Sequence, residues 1–144
     1  MTVDVLLQGR FERISQRPAI WLDVGHNPLA ARAVAVTLGS AMKAGGMKRC
    51  RCVIAMLADK DVAAVAEELR STVSTWYAAG LKGDRGQSGA DLARRLAQAG
   101  GSLDIRAFDS VRQALEAAVA DSGPADCVLV FGSFFTAAET LQAQ

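Results

Sequence analysis

The chain has 144 residues, of which 51% are hydrophobic and 22% charged, and these proportions are typical of one globular domain. A formal net charge of +1 gives no electrostatic reason to expect binding to nucleic acid or to an anionic membrane surface. The first residues lack the pattern of a signal peptide and the apolar runs are too short to span a bilayer, so we expect a soluble cytoplasmic protein.

Cysteine usage agrees with a reducing compartment. The three cysteines, Cys50, Cys52 and Cys127, are an odd number and do not suit a framework of disulfide bonds. No Cys-x-x-Cys pair occurs, and the single histidine cannot complete a usual zinc site. We therefore predict structural thiols and no metal site in this chain. The basic residues around Gly45-Gly46 are interpreted as a solvated loop and the start of a strand.

Hydrophobic patterning predicts five strands that alternate with helices, after an extended lead-in at 1–17. The strands are predicted at 19–24, 50–57, 72–79, 103–108 and 127–131, and the helices at 28–42, 62–69, 92–99, from 111 to the break at 123–124, and at 135–141. Nearly continuous apolar strands are typical of a parallel sheet that is buried on both faces. We predict an α/β fold, a three-layer Rossmann-like domain with a mostly parallel, doubly wound sheet flanked by helices.

The most informative stretch joins the first predicted strand to the first helix and reads Asp23-Val-Gly-His26-Asn27-Pro28. Pro28 suits the first helical turn, and Asn27 suits the N-cap. In open α/β sheets ligands bind beyond the carboxyl ends of the strands, where helix N-termini favour anions. Asp23 suits a ribose hydroxyl, whereas His26 and Asn27 suit phosphate or carboxylate oxygens. Because Asp and Asn are also common turn and cap residues, the spacing alone favours a site and a plain loop about equally.

Two further loops, 58–61 and 132–136, also follow predicted strands. In a parallel sheet all three loops would lie along one edge. Lys60 stands between two aspartates, which suits either a ligand site or a surface ion pair. Gly132-Ser133 suits either a ligand site or a simple turn with a helix cap. Arg85, in the glycine-rich segment 80–87, either faces this edge or belongs to a plain connector. That segment does not fit a Walker loop, and no Gly-x-Gly-x-x-Gly follows the first strand.

Four motifs, in order, resemble those of the folylpolyglutamate synthases of the Mur-ligase superfamily, which in bacteria are often also dihydrofolate synthases. In chain order, residues 8–11 resemble a Pro-Gly-Arg-Phe linker, 23–28 resemble Asp-x-(Ala/Gly)-His-Asn-Pro, 56–61 resemble Met-Leu-x-Asp-Lys-Asp, and 132–136 resemble Gly-Ser-Phe-x-Thr. The resemblance covers roughly residues 6–142. It implies that 1–17 are the end of an interdomain linker and that 18–144 form a carboxyl-terminal Mur-ligase domain.

The resemblance also implies a role for each candidate residue. Arg10 would reach the ATP phosphates, Asp23 would hold the ribose, and His26 would act catalytically near the phosphates or an acyl-phosphate intermediate. Asn27, Lys60 and Ser133 would line the site of the incoming L-glutamate. In the reaction that the family implies, ATP phosphorylates a carboxyl group of a folate or of dihydropteroate, and the amine of glutamate attacks the acyl phosphate. The sequence leaves open whether the enzyme has one or both synthase activities.

In this family the P-loop and the ligands of Mg²⁺ belong to the amino-terminal domain, and this sequence has no Gly-Lys-Ser/Thr loop. We therefore interpret the chain as the glutamate-side domain that closes over ATP, inactive alone and partnered by its own amino-terminal P-loop domain in a monomeric enzyme. One alternative is a stand-alone, non-catalytic module that binds a nucleotide or a partner. Another is a complete Rossmann-like enzyme of unknown type, for which the sequence supplies no nucleophile and base beside a cofactor motif.

Overall fold

The computed structural model of the chain describes residues 12–16, 18–23, 25–99 and 103–132. Within them six strands form one sheet: β1 (Glu12–Gln16), β2 (Ala19–Asp23), β3 (Arg49–Ala55), β4 (Thr75–Ala79), β5 (Asp104–Phe108) and β6 (Asp126–Gly132). Four helices connect them: α1 (Pro28–Gly45), α2 (Val62–Leu69), α3 (Gly89–Ala97) and α4 (Val111–Asp121). The strand order is β1-β2-β6-β3-β4-β5, and every pair is parallel except β1 with β2. The predicted α/β fold is confirmed.

The amino-terminal lead-in differs from its prediction, because its residues 12–16 form a strand of the sheet. β1 pairs antiparallel with β2, from Glu12 opposite Leu22 to Gln16 opposite Ala19. Without β1, the backbone of β2 would present an unpaired edge. Local pattern did not reveal β1, because its five residues show no alternation of apolar and polar side chains. The predicted helix at 135–141 lies outside the described residues.

The sheet is buried on both faces. One face packs against α1, α2 and α3, and the other packs against α4. Successive residues of β3 point to opposite faces of the sheet, so Cys52 and Ile54 pack on the side of α1–α3 and Val53 packs on the side of α4. Each fully buried aliphatic side chain contributes about 1.5–3 kcal/mol to folding. The three cysteines are buried thiols, as predicted, and burial raises the pKa of Cys52 well above its usual value.

Helix α1 begins at the cap that the sequence predicts, and α3 also begins at a side-chain cap. Asn27 Oδ1 accepts a hydrogen bond from the N–H of Ala30 at 2.8 Å, and Pro28 occupies the first helical position of α1. Ser88 Oγ accepts from the N–H of Asp91 at 3.0 Å at the start of α3. α1 ends at Gly45 and is capped by Gly46, whose φ of +70° lies in the left-handed region that glycine adopts most readily. None of the described helices combines the length and apolar character that a membrane span requires.

A buried carboxylate organises the amino-terminal edge of the sheet. Asp126 accepts hydrogen bonds from Arg49 Nε at 3.0 Å and from the N–H of Gly123 at 2.9 Å, and Arg51 Nη2 lies 3.5 Å away. Burial raises the pKa of Asp126, but the Gly123 N–H and the two guanidinium groups outweigh burial and lower it below its ordinary value. The interpretation of the basic residues as solvated is therefore wrong for Arg51, whose side chain is only 13% exposed.

Candidate functional site at the carboxyl edge of the sheet

Two of the candidate loops leave the sheet side by side. Asp23 of β2 and Ile54 of β3 are both in register with Phe131 of β6, so these three strands reach the carboxyl edge at the same level. Neighbouring strands lie about 4.8 Å apart, which places the backbones of β2 and β3 about 10 Å from each other. The structure therefore brings the loop after β2 and the loop after β3 to one edge, as the topology predicted.

The loop after β2 is held in a tight turn. Asp23 Oδ1 accepts a hydrogen bond from the N–H of Gly25 at 2.7 Å. A Cβ atom at Gly25 would lie 2.7 Å from Ala30 Cβ, so this position leaves no room for a side chain without movement. His26 is half-buried and Asn27 is exposed. The first turn of α1 contains no acidic residue, so no carboxylate there offsets the positive end of the helix dipole.

The loop after β3, residues 56–61 (the β3 loop), carries Lys60 at the same edge. Asp61 caps α2 by accepting from the N–H of Ala64 at 3.2 Å, and Asp59 pairs with Arg85 at 3.3 Å. Among the described residues, the ammonium group of Lys60 forms no ion pair, so the alternative of a surface pair with its neighbouring aspartates is not what the structure shows. Arg85 lies against this loop and is more than a plain connector.

Two residues that sequence reasoning missed hold the β3 loop. Arg95 of α3 donates from Nη1 to the carbonyl of Ala58 at 2.8 Å and from Nη2 to the carbonyl of Lys60. Gln87 Nε2 donates to the carbonyl of Met56 at 2.9 Å. No local signal marks either residue, because each contact joins positions about thirty residues apart in the chain.

The remaining predicted site residues, Arg10 and Ser133, lie outside the described residues. The neighbouring Gly132 is described and ends β6 with a φ of +147°. It is in register with Ala55, the last residue of β3. A Cβ atom at Gly132 would lie 1.8 Å from the carbonyl oxygen of Ala55, so the backbone of β3 leaves no room for a side chain at the end of β6.

The described part of the chain does not fit a metal ion. It contains no group of three or more His, Cys, Asp or Glu side chains placed to hold one. Mg²⁺, which accompanies ATP in the implied reaction, has no ligand set among these residues, and we assign no step to it here.

A mostly parallel sheet with helices on both faces defines an α/β domain of the Rossmann-like class. Residues 9–134 match the family model described as Mur ligase, glutamate ligase domain. The chain belongs to that family.

Relatives of known function agree with this assignment. The chain is 40% identical over 137 residues to the dihydrofolate synthase/folylpolyglutamate synthase of Escherichia coli, covering 95% of the chain and 30% of that enzyme. It is 38% identical over 122 residues to the enzyme of the same name from Haemophilus influenzae, covering 85% of the chain and 28% of the enzyme. The chain thus spans about 30% of the length of the relatives it matches, and corresponds to their carboxyl-terminal domain.

Solved structures give the same result. A crystal structure of the bifunctional folylpolyglutamate synthase/dihydrofolate synthase of Yersinia pestis superposes with a TM-score of 0.81 at 38% identity, covering 94% of this chain and 30% of that one. A crystal structure of a bifunctional enzyme of this name with Mn, AMPPNP and L-glutamate bound superposes with a TM-score of 0.79 at 38% identity, covering 94% and 31%.

Proposed function

We propose that this chain is the glutamate-side domain of an ATP-dependent ligase that adds L-glutamate to folates, as a folylpolyglutamate synthase and dihydrofolate synthase, through an acyl phosphate. One observation carries the proposal: the loop with Asp23, His26 and Asn27 and the loop with Lys60 leave one sheet edge about 10 Å apart. The nucleotide analogue and the L-glutamate bound in a related structure match the chemistry of these side chains.

The loop after β2 supplies the nucleotide side of the proposed site. The Asp23 carboxylate can accept a hydrogen bond from a ribose hydroxyl while its Oδ1 keeps the turn to Gly25. His26 stands just before α1, whose N-terminal dipole favours the negative charge of phosphates. There it would donate a hydrogen bond to the oxygens of ATP or of the acyl phosphate and stabilise the charge that develops as glutamate attacks. Arg10 would offer its guanidinium fork to the same phosphates.

The β3 loop supplies the glutamate side of the proposed site. The Lys60 ammonium would pair with a carboxylate of L-glutamate as a point charge. Asn27 Oδ1 is engaged as the cap of α1, so its amide NH₂ would donate to the amino acid. Ser133 would complete this side. The amine of glutamate then attacks the carbonyl carbon of the acyl phosphate, and the tetrahedral intermediate collapses with loss of phosphate.

The other half of the reaction belongs to the partner that we propose for this chain, an amino-terminal P-loop domain that grips ATP with Mg²⁺ and binds the folate or dihydropteroate. Because β1 (Glu12–Gln16) pairs with β2 in the sheet, we propose that the interdomain linker ends before β1 rather than at the predicted boundary of 17–18, and we expect a monomer. The isolated chain should not catalyse ligation, because phosphoryl transfer depends on a metal clamp that the described residues do not provide.

Ligation kinetics test this proposal in the enzyme formed by this chain and its amino-terminal domain. Losing a hydrogen bond to a charged ligand costs about 10- to 100-fold in kcat/KM, so Asp23→Ala should raise the KM for ATP, and Lys60→Ala the KM for L-glutamate, by that factor. Arg112→Ala, at an exposed ion pair on α4, is the control and should retain normal kinetics. Near-normal rates for both site variants would refute the proposal.

An amide-shift titration of the 144-residue chain checks the same site without the partner domain. Shifts at residues 25–27 with ATP–Mg²⁺ and at 59–60 with L-glutamate would support a half-site that is already formed. Shifts confined to other parts of the chain would show that the site is misplaced.

A further inference from the structure

We propose that Arg95 and Gln87 are positioning residues for L-glutamate: they hold the backbone of the β3 loop so that Lys60 faces the sheet edge. The inference rests on the proposed function, because it assigns Lys60 to the glutamate site. Neither residue lies in the four motifs of the loops themselves.

The β3 loop is held by its carbonyl oxygens from outside. Arg95 donates to the carbonyls of Ala58 and Lys60, while Gln87 Nε2 donates to those of Met56 at 2.9 Å and Leu57 at 3.4 Å. The two side chains also bind each other, with Arg95 Nη1 donating to Gln87 Oε1 at 3.1 Å. Of the five successive carbonyls from Met56 to Lys60, all except that of Asp59 are therefore bound by these two side chains.

The backbone that carries Gln87 and Arg95 is itself held in place. The N–H of Leu81 donates to the carbonyl of Gln87 at 3.0 Å, and Ser88 caps α3 directly after it. At the first residue of α3, Gly89, a Cβ atom would lie 2.1 Å from the carbonyl oxygen of Phe108, so the helix start rests on the backbone of β5. Because the backbone of β5 leaves no room for a side chain at Gly89, the start of α3 is packed directly on the sheet, which fixes the position of Arg95 relative to it.

The guanidinium group suits this task better than any other side chain. Its planar fork directs several N–H donors at fixed angles, so one arginine can bind the Ala58 and Lys60 carbonyls and Gln87 together. An ammonium group has no such fork. Within the β3 loop the backbone forms one internal hydrogen bond, from the N–H of Lys60 to the carbonyl of Leu57 at 3.2 Å. Two further backbone bonds join it to its neighbours: the N–H of Ala58 donates to the carbonyl of Arg85 at 2.8 Å, and the N–H of Val62 donates to that of Lys60 at 3.0 Å. Without Arg95, Lys60 would sample positions that do not meet the ligand.

The neighbouring arginine offers a matched control. Arg94 lies beside Arg95 on α3 and has the same charge. Its side chain pairs with Asp91, one turn earlier in the helix, and is 74% exposed. No hydrogen bond joins the Arg94 side chain to the β3 loop in the described structure. Arg94→Gln and Arg95→Gln therefore remove the same charge from adjacent positions, and only the second releases the loop.

The test measures KM and kcat of the ligase formed by this chain and its amino-terminal domain. A misplacement of about 1 Å can cost up to 100-fold, and we expect Arg95→Gln to raise the KM for L-glutamate about tenfold with kcat and the KM for ATP within about twofold. Gln87→Ala should act in the same direction. Amide hydrogen exchange at residues 58–60 of the isolated chain should accelerate in both variants, while Arg94→Gln should match the wild type in every measurement.

Lys60→Ala separates the failure of this inference from that of the proposed function. A raised KM for L-glutamate in Lys60→Ala, with none in Arg95→Gln or Gln87→Ala, would overturn the positioning role and leave the proposed function intact. An unchanged KM in Lys60→Ala would overturn the positioning role, and together with near-normal kinetics of Asp23→Ala it would overturn the proposed function as well. Parallel losses in kcat and in both KM values for Arg95→Gln would indicate a general loss of structure and also overturn the positioning role.

Discussion

The close approach of β6 to β3 leads to a strong prediction about one glycine. Gly132 has a φ of +147°, and a Cβ atom there would lie 1.8 Å from the oxygen, 2.8 Å from the carbon and 3.1 Å from the nitrogen of Ala55. All three atoms belong to the backbone of a central strand, so none can swing aside as the end of a flexible side chain would. Gly132→Ala must therefore push β3 and β6 apart where the candidate loops begin.

The size of the effect follows from two costs. Holding alanine in this region of φ costs about 1–3 kcal/mol, and separating the strand ends disrupts ladder hydrogen bonds worth about 1 kcal/mol each. We expect Gly132→Ala to lower the free energy of unfolding by about 3–4 kcal/mol, which in a domain of this size lowers Tm by about 10 °C.

Thermal and urea denaturation of the 144-residue chain measure this loss, with Gly39→Ala as the matched control. Gly39 lies inside α1, and a Cβ atom there would meet nothing within 4 Å. Alanine at that position should stabilise the chain by about 0.5–1 kcal/mol through its higher helix propensity. A Gly132→Ala variant as stable as the wild type would refute the reasoning about the strand ends.

Three further changes test other parts of the structure. Asp126→Asn leaves Arg51 with no carboxylate at the buried edge, and urea denaturation at neutral pH should show a loss of about 2–4 kcal/mol. Because the pKa of Asp126 is lower in the folded chain, its contribution to the free energy of unfolding is complete above the unfolded pKa of about 4 and is lost as pH falls through the folded pKa. In Asp126→Asn, stability should therefore fall less steeply at acid pH. Asn27→Ala should cost about 1 kcal/mol by removing the cap of α1, whereas Asn27→Asp should keep that stability and still weaken glutamate binding in the ligase by like-charge repulsion.

Most of the fold could be predicted because its signals are local. The central strands are apolar on both faces, and each helix starts at a side chain that accepts a backbone N–H, such as Asn27, Ser88 and Ser110. The start of β4 was predicted at 72 but lies at Thr75, since the apolar Val73 closes the end of α2 by donating its N–H to Leu69. An apolar residue at a helix end looks the same in the sequence as one at a strand start.

The strand β1 could not be predicted for a different reason. Its stability comes from pairing with β2, and the five residues from Glu12 to Gln16 lack the alternation that marks a strand in the sequence. The first helical residue of α3 was missed in the same way, because Gly89 is unfavourable in a helix by propensity and is required by the backbone of Phe108. Tertiary contact overrides local preference in both places.

The candidate site also combines residues that the sequence indicates with residues that only the folded structure reveals. Asp23, His26 and Asn27 stand together in the sequence, and register then shows that their loop shares an edge with the β3 loop. The support of Lys60 comes from Arg95, thirty-five residues later, and no hydrophobic period or motif connects the two positions. Sequence motifs thus indicate the groups that would touch a ligand, whereas the residues that orient those groups emerge only once the chain is folded.

The hydrogen bonds that hold the candidate loops have a physical consequence for binding. The turn at Asp23, the cap at Asn27 and the anchored carbonyl of Lys60 are each held by hydrogen bonds from groups within this domain. A ligand that binds such loops loses little affinity to the ordering of flexible backbone, since the conformational entropy was already lost when the domain folded. A domain with its loops fixed to one sheet can also move as a rigid body while keeping its own half of a site in shape. That property is what the proposed ligase needs from a domain that closes over ATP bound elsewhere.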